Sequence, residues 1–189
     1  NGPNLIVDSI NDTLLGDLLD DAPAACDSLA TGANCQFSVQ RTVLPGDPDP
    51  LPNTVTVHYH PAGFTNDITD NDGHSVNLFQ PCVTVTKGGD TLSKVTDSVT
   101  YDFTISAACS SDDSPNLALD SVIDTLLGDL TATAVANGCL SLAPSGAGAV
   151  CNFSVQRTVL PGDPDPLPNT VTVSYHPVGF PNNIQDSDG

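Results

Sequence analysis

Two clusters of aspartates are the first residues that could do chemistry, because carboxylate oxygens at close spacing are the ligands that calcium prefers. Asp70 and Asp72 form one cluster, Asp186 and Asp188 form the other, and a Gly follows each cluster. The pattern resembles the start of a calcium loop, although the spaced third ligand and the distal Glu of an EF-hand are missing. Calcium is therefore the candidate cofactor, in a loop before the last strand of a repeat, and ordinary turn residues are the alternative.

Two histidines form a second candidate metal site. His58 and His60 lie two positions apart, which places both on one face of a strand. The same stretch returns later in the chain with Ser174 and His176, so we expect surface histidines rather than a shared metal site. No Ser-His-Asp or paired-carboxylate arrangement stands out, and we predict no catalytic residues and no enzymatic activity.

Six cysteines are spaced for disulfide bonds rather than for zinc, because no CxxC pair occurs. They are Cys26, Cys35, Cys82, Cys109, Cys139 and Cys151. The first two and the last two occupy corresponding positions of a repeat, which predicts two local disulfides and leaves the middle two for each other. Each closed loop would stabilise the fold by roughly 3 kcal/mol on the chain-entropy model. The predicted location is extracellular or at the cell surface, where thiols are oxidised.

The charge of the chain excludes two classes of partner. The 189 residues carry 23 acidic side chains and 4 Lys or Arg, for a formal net charge of −19. Nucleic acids and anionic membrane surfaces both attract a cationic face, so neither is an expected partner. No apolar run approaches the roughly 20 residues of a spanning helix, so we expect no membrane insertion in this segment.

The residue types favour strands over helices. All acidic residues are Asp, Met and Trp are absent, and the chain contains 16 Pro and 15 Gly beside abundant Val and Thr. Val and Thr are enriched in strands, whereas Pro and Gly interrupt helices. The composition therefore predicts an all-β chain.

A long repeat organises the chain. Phe37–Val57 returns without a change as Phe153–Val173, and tandem copies are typical of extended structural arrays. Residues from about 74 to 112 occur once, so both ends fall inside a copy. The predicted domains are 1–79, a repeat lacking its first strands, and 80–189, a repeat lacking its last strand. Either the chain is an excerpt from a longer tandem protein, or a neighbouring subunit supplies the missing strands.

Alternating residues predict the strands of one copy. Val83 and Val85 alternate with threonines, the stretch from Val99 to Ile105 alternates in the same way, and a last strand is expected at about Ser75 to Phe79. Roughly seven strands in a copy of this length is the size of an immunoglobulin-like sandwich. The predicted fold class is all-β, with tandem immunoglobulin-like β-sandwich domains.

Four motifs carry a resemblance to a known family. In chain order they are VTVTKGGD, DSVTYDFTI, LDSVIDTLLGDL and FSVQRTVLPGDPDPLPNTVTV. Together they resemble the tandem conserved repeat domain of prokaryotic cell-surface proteins, an immunoglobulin-like family of unknown function, over essentially the whole chain. The resemblance implies large secreted or wall-associated proteins with many copies, and it implies no enzymatic activity.

The same resemblance adds a candidate covalent crosslink. In other immunoglobulin-like surface domains, a Lys on one strand and an Asn on another condense into an isopeptide bond beside a buried acid. Lys87 ends the first strand here and Asn169 begins a late strand, and the acid would be Asp120 or Asp124. The alternative is that Lys87 is an exposed charge at the end of a strand.

Two asparagines match the acceptor pattern for N-glycosylation: Asn11 in the sequence NDT and Asn152 in NFS. The counterpart of Asn152 in the first copy is Gln36. Only one copy could therefore be modified at that position.

The sequence favours a structural role. We expect tandem disulfide-bonded domains that form an extracellular filament, stalk or surface fibre, with copies of the same unit as partners. One alternative is the spacer region of a cell-surface adhesin, which holds a binding head away from the cell. Another is a spacer in an extracellular enzyme whose catalytic domain lies outside this chain.

Overall fold

The computed structural model describes residues 2–189 and divides the chain into two compact units. The first unit ends at Leu78 and the second covers Phe79–Gly189, so the division falls one residue before the predicted boundary. Antiparallel strands dominate both units. The predicted all-β class is confirmed.

The first unit is built on an antiparallel sheet. Its strands are β1 (Leu5–Asp12), β2 (Gly16–Asp17), β3 (Ser28–Leu29), β4 (Leu51–Pro61) and β5 (Ile68–Val76), with a 3-10 turn at Ala24–Cys26. The order across the sheet is β2-β1-β4-β5, and β3 also pairs with β1. Among the described residues of this unit, the buried apolar side chains are Ile10, Leu18, Cys26, Leu51 and Tyr59. Since a single sheet buries one face only by packing on another layer, this core is thin.

The second unit contains two antiparallel sheets. Its elements are β6 (Thr84–Gly89), β7 (Ser98–Ser106), β8 (Leu117–Asp124), β9 (Gly128–Asp129), α1 (Thr131–Ala136), β10 (Ser141–Leu142), a 3-10 turn at Gly146–Ala149, β11 (Val150–Thr158), β12 (Val171–Pro177) and β13 (Ile184–Asp188). One sheet has the order β10-β8-β12-β13, with β9 also paired to β8, and the other has the order β11-β7-β6.

Side chains from both sheets of the second unit fill one core. Phe103 on β7 and Phe153 on β11 stack with ring centroids 4.8 Å apart, and Val173 and Tyr175 on β12 are fully buried. Alternation along each strand sends these residues to one face and side chains such as Thr104 and Thr172 to the other. Full burial of one such side chain stabilises the fold by about 1.5–3 kcal/mol. Each sheet therefore depends on the other for its stability.

A β-bulge changes which residues of β8 face the core. The pairing of β8 with β12 runs from Val171↔Asp124 to Ser174↔Ser121 and then skips Asp120. One unpaired residue reverses the alternation, so Asp120 is exposed while Asp124 is buried. The same irregularity occurs in β1, where the pairing with β4 skips Asp8.

The last strand lies earlier than the sequence indicated. It was expected at about Ser75 to Phe79, but β5 spans Ile68–Val76 and pairs with β4. The second unit contains the counterpart, β13, which pairs with β12. The expectation that residues 80–189 lack a last strand stays a prediction.

Three disulfides close loops in the two units. They join Cys26 to Cys35, Cys82 to Cys109, and Cys139 to Cys151, the pairs that the duplication predicts. Such bonds persist in an oxidising, extracellular or secreted environment. Among the described residues, no helix is long and apolar enough to cross a membrane.

A buried tyrosine supports the disulfide loop in each unit. The hydroxyl of Tyr175 donates a hydrogen bond to the carbonyl oxygen of Cys139 at 2.8 Å, and the hydroxyl of Tyr59 donates to that of Cys26 at 3.1 Å. Burial raises the pKa of both phenols. The hydroxyls remain donors at any physiological pH, so the contact is a permanent part of each fold.

Candidate functional site

Lys87 is buried in the second unit. It follows Val83 and Val85 at the spacing of two that turns side chains to one face, and that face is the core. The Lys87 side chain is 4% exposed, and its Nζ lies 2.9 Å from Oδ2 of Asp124, whose side chain is fully buried. The alternative of an exposed strand-end charge is therefore wrong, because the alternation of β6 continues through the lysine.

Two aromatic rings enclose the lysine amine. The Nζ of Lys87 lies 5.1 Å from the ring centre of Tyr101 and 5.8 Å from that of Phe103. Both distances are within the range of a cation–π contact. The rings shield the amine from water, which strengthens its interaction with the carboxylate of Asp124.

The turn after β8 fixes the carboxylate of Asp124. Its Oδ1 accepts hydrogen bonds from the backbone N–H of Leu126 at 2.9 Å and of Leu127 at 2.8 Å. Asp side chains commonly hold turns in this way. The second oxygen, Oδ2, is left to face Lys87.

Asp120 is not the acid beside the lysine. Its Oδ1 lies 2.8 Å from Nδ1 of His176 on the exposed face of the sheet. The bulge at Asp120 is the physical reason, because it turns this residue outward and Asp124 inward. Of the two predicted acids, the structure places Asp124 next to Lys87.

Asn169 lies beside the same turn, two residues before β12. The backbone N–H of Thr125 donates to the carbonyl of Thr170, and the N–H of Thr170 donates to Oγ1 of Thr125, both at 2.9 Å. The hydroxyl of Thr125 then donates to Oδ1 of Asn169 at 3.2 Å. Among the residues that the structure describes, Nδ2 of Asn169 is the one buried side-chain polar atom without a hydrogen-bond partner. Such an atom costs about 1–3 kcal/mol.

The first unit contains the same turn with a different partner for its acid. Oδ1 of Asp12 accepts from the N–H of Leu14 and of Leu15, both at 2.9 Å. Oδ2 of Asp12 accepts from Nδ2 of Asn53 at 2.9 Å. The hydroxyl of Thr13 donates to Oδ1 of Asn53 at 2.9 Å.

One carboxylate oxygen therefore has two possible donors. In the first unit, Oδ2 of Asp12 binds the amide of Asn53. In the second unit, Oδ2 of Asp124 binds the amine of Lys87, and the amide of Asn169 has lost its acceptor. The lysine has taken the position on the acid that the asparagine holds in the first unit.

The aspartates of β13 fix the backbone of β6. Oδ2 of Asp186 accepts from the N–H of Val85 at 2.8 Å, and Oδ2 of Asp188 accepts from the N–H of Lys87 at 2.7 Å. These two side chains replace a strand-to-strand ladder between β13 and β6. They hold the backbone of β6 at Val85 and at Lys87.

The counterparts in the first unit, Asp70 and Asp72, are exposed. Their Oδ1 atoms accept from the N–H of the next residue, Asn71 and Gly73, each at 3.0 Å. Both aspartate clusters lie within strands, so their predicted position in loops is wrong. No group of three or more His, Cys, Asp or Glu residues that could hold a metal occurs in residues 2–189. Calcium binding stays a prediction.

An arginine and an aspartate clamp the same loop in both units. Arg157 donates to Asp163 through two nitrogens at 2.6 and 2.8 Å, and Arg41 donates to Asp47 at 2.7 and 2.8 Å. Hydrogen bonds from the arginine and from a backbone N–H lower the pKa of each carboxyl to about 2. The clamp closes over six residues, so it forms from local sequence alone.

The histidines bind neighbouring aspartates. Nδ1 of His58 lies 3.1 Å from Oδ2 of Asp67, and Nδ1 of His60 lies 2.8 Å from Oδ1 of Asp8. The second pair matches that of His176 and its aspartate in the other unit. These contacts fit the expected surface histidines.

The candidate glycosylation sites lie on strands. Asn11 is exposed on β1, and Asn152 is exposed on β11, where its Oδ1 accepts from the hydroxyl of Thr104 at 2.7 Å. Modification at either position stays a prediction.

Lys87 and the turn that begins with Asp124 contain the kinds of group that acyl transfer to an amine requires. Lys87 supplies a nucleophile, Asp124 a group that can move protons, and Asn169 a carboxamide. Sequence reasoning found all three but omitted Thr125, whose hydroxyl binds the amide oxygen. The repeated Asp-Thr pair, Asp12-Thr13 in the first copy, is the signal that could have pointed to it.

Comparisons of the chain with protein-family models, with curated proteins and with solved structures find no match. The resemblance to the conserved repeat family stays a prediction.

Proposed function

We propose that the protein is a structural component of an extracellular filament, stalk or surface fibre built from tandem, disulfide-stabilised, immunoglobulin-like repeats. The observation that supports this proposal is the recurrence of one structural plan in both units. The tyrosine contact to a cysteine carbonyl, the arginine clamp and the acid–amide turn all occur twice. Tandem copies of one domain make an elongated chain, which is the shape that a fibre needs.

The second unit supports the immunoglobulin-like part of the proposal. Two antiparallel sheets contribute to one core, and a disulfide joins the ends of the β6–β7 hairpin. An immunoglobulin-like sandwich has this layered arrangement. We propose that one complete repeat is one such domain.

The first unit supports the tandem arrangement. In the second unit, Asp186 and Asp188 hold β6 by its backbone. Asp70 and Asp72 occupy the corresponding positions in the first unit. Within residues 2–189, no second strand donates backbone N–H groups to their carboxylates. We propose that a hairpin like β6–β7 completes this unit in the assembled protein, from a preceding copy in the same polypeptide or from a neighbouring molecule.

Electron microscopy of the native material tests the structural role. We expect regular beaded fibres with a repeat of roughly 4 nm or more for each sandwich-sized domain. Dispersed globular particles would count against the proposal. A single distinct knob at the end of each fibre would favour the alternative role as the spacer of an adhesin.

The mass of the native chain under reducing, denaturing conditions separates the two sources of the completing hairpin. A very large chain or a ladder of sizes indicates tandem copies in one polypeptide. A single species near 19.4 kDa, the mass of these 189 residues, indicates subunits that exchange strands.

A further inference from the structure

An ion pair lies in the core of the second unit, and a third polar group, the amide of Asn169, lies at the turn that follows its acid. Lys87 and Asp124 satisfy each other across 2.9 Å. The amide nitrogen of Asn169 is buried at the same turn and makes no hydrogen bond. A buried polar atom without a partner in a native fold indicates strain, chemistry or both.

We propose that the side chains of Lys87 and Asn169 join in an intramolecular isopeptide bond, with Asp124 moving the protons and Thr125 binding the amide oxygen. The partnerless Nδ2 of Asn169 is the leaving group of this reaction. Its lack of a partner disappears when the reaction releases it as ammonia.

Corresponding carboxylates bind an amide in the first unit and an amine in the second. In the first unit, the amide nitrogen of Asn53 lies 2.9 Å from Oδ2 of Asp12. In the second unit, the amine of Lys87 lies 2.9 Å from Oδ2 of Asp124. The backbone around Asn169 makes the same two hydrogen bonds to its turn that the backbone around Asn53 makes. From this correspondence we place the amide of Asn169 beside the carboxylate of Asp124 that binds the amine, as an attack on the amide carbon requires.

The reaction balances without any co-reactant. A proton moves from the Lys87 ammonium to the Asp124 carboxylate, and the neutral amine adds to Cγ of Asn169, forming the new C–N bond. Asp124 delivers this proton to Nδ2 and takes one from the attacking nitrogen. The bond from Cγ to Nδ2 then breaks and ammonia leaves. The departing ammonia carries away the proton that Asp124 holds at the end, which restores the carboxylate.

Thr125 is placed to stabilise the charge that develops on oxygen. Its hydroxyl accepts the N–H of Thr170 and donates to Oδ1 of Asn169, the oxygen that becomes negative after the attack. A donor fixed in advance at that atom is the arrangement that lowers such a barrier. Because the hydroxyl is oriented by the backbone, it needs no rearrangement during the reaction.

The bond would join the two sheets of the second unit. Lys87 belongs to β6 in the three-stranded sheet, and Asn169 precedes β12 in the other sheet. The Cys82–Cys109 disulfide connects strands of the same sheet only. The Cys139–Cys151 disulfide already links β11 of one sheet to the segment before β10 of the other. The isopeptide would add a second covalent link between the two layers, at β6 and β12.

Intact mass spectrometry of the full chain, reduced and denatured, tests the proposal. The expected mass is lower than the sequence mass by one ammonia, and a protease digest should contain one branched peptide that links Lys87 to Asn169. The variants Lys87→Arg, Asn169→Ala and Asp124→Ala should each restore the mass that their sequence predicts. The matched controls are Lys94→Arg, at a side chain that is 75% exposed, and Asn53→Ala, and both should keep the loss of ammonia.

Several results would overturn the proposal. The unmodified chain at its full sequence mass would do so without any variant. Loss of one water, with a peptide that links Lys87 to Asp124, would show that the bond joins Lys87 to Asp124 instead of Asn169. Loss of ammonia without a branched peptide would indicate cyclisation of an asparagine instead. None of these results tests whether the protein forms a fibre, so the proposed function is tested independently by electron microscopy.

Discussion

The same 21-residue stretch adopts two structures in one chain. In the second unit, Phe153–Thr158 belongs to β11, which pairs with β7 along its whole length. In the first unit, the identical Phe37–Thr42 forms no strand. Phe153 is 5% exposed and Phe37 is 37% exposed. A strand therefore forms here only where a partner strand is present, since β propensity is mainly a measure of packing on neighbours.

The loop in the middle of the same stretch behaves in the opposite way. The clamp of Arg157 on Asp163 and that of Arg41 on Asp47 have nearly the same geometry in the two units. All the atoms involved lie within six residues of each other, so no distant strand is needed. Local contacts are thus independent of the rest of the fold, whereas the strand depends on it.

The largest expected effect comes from removing the acid in each unit. Asp124→Ala leaves the buried amine of Lys87 without a partner and should lower the free energy of unfolding of the second unit by about 3–5 kcal/mol. The matched Asp12→Ala removes only hydrogen bonds to neutral donors and should lower that of the first unit by about 1–3 kcal/mol. Native-state hydrogen exchange measures both units in one sample. Equal losses in the two units would contradict the role assigned to Lys87.

The second test adds the missing partner strands. A synthetic peptide of residues 80–110 with its disulfide closed should bind the first unit and convert Phe37–Thr42 into a strand. Amide exchange in that segment should slow by about tenfold or more, which corresponds to about 1.4 kcal/mol of added protection. A control peptide carrying Val85→Asp should not protect it, because its core-facing side is charged. Unchanged exchange with the unmodified peptide would mean that the segment lacks a strand for some other reason.

A third test compares the two buried tyrosines. Tyr175→Phe removes a 2.8 Å hydrogen bond from a fully buried carbonyl and should destabilise the second unit by about 1–2 kcal/mol. Tyr59→Phe removes a longer bond of 3.1 Å in the thinner core, and we expect a smaller loss. Thermal unfolding of each variant with intact disulfides gives the ranking. The reverse order would show that core thickness does not determine the strength of this contact.

The smallest effect is a dependence on pH that the two units should share. The folded pKa of Asp163 and of Asp47 is about 2, below the ordinary 3.8. The clamps therefore stabilise the loops fully above the ordinary value, and this contribution is lost as the pH falls through about 2. Carboxyl carbon shifts followed by NMR should show both residues titrating near the same low pH. A clear separation between them would mean that the surrounding unit influences the clamp after all.

The sequence predicted features that depend on correspondence between the copies. Repeated cysteines assigned Cys26 to Cys35 and Cys139 to Cys151 because the two copies could be compared. Alternation located the β-strands of the core because that signal is local. Alternation failed at Asp120, since a bulge depends on the facing strand and leaves no mark in the period of β8 itself. The sequence pattern also misplaced β5, because a strand that consists mainly of polar residues and a Gly resembles a loop.

The candidate site was predicted in part for the same reason. Lys87 and Asn169 were found by their positions on strands, but the choice of Asp124 required the register of β8 against β12. Thr125 was missed because its hydroxyl is positioned by the backbone N–H of Thr170, which is 45 residues away in the sequence. Only the folded chain brings these segments together.

The two carboxylate contacts between β13 and β6 also determine how the second unit responds to tension. Asp186 contacts Val85 and Asp188 contacts Lys87, so both strands advance in the same direction. A pull on the start of β6 and on the end of β13 then slides the strands along each other instead of peeling them apart. Sliding must break both contacts at once, whereas peeling breaks them one at a time. The domain is thus built to resist a stretching force directed along its own chain.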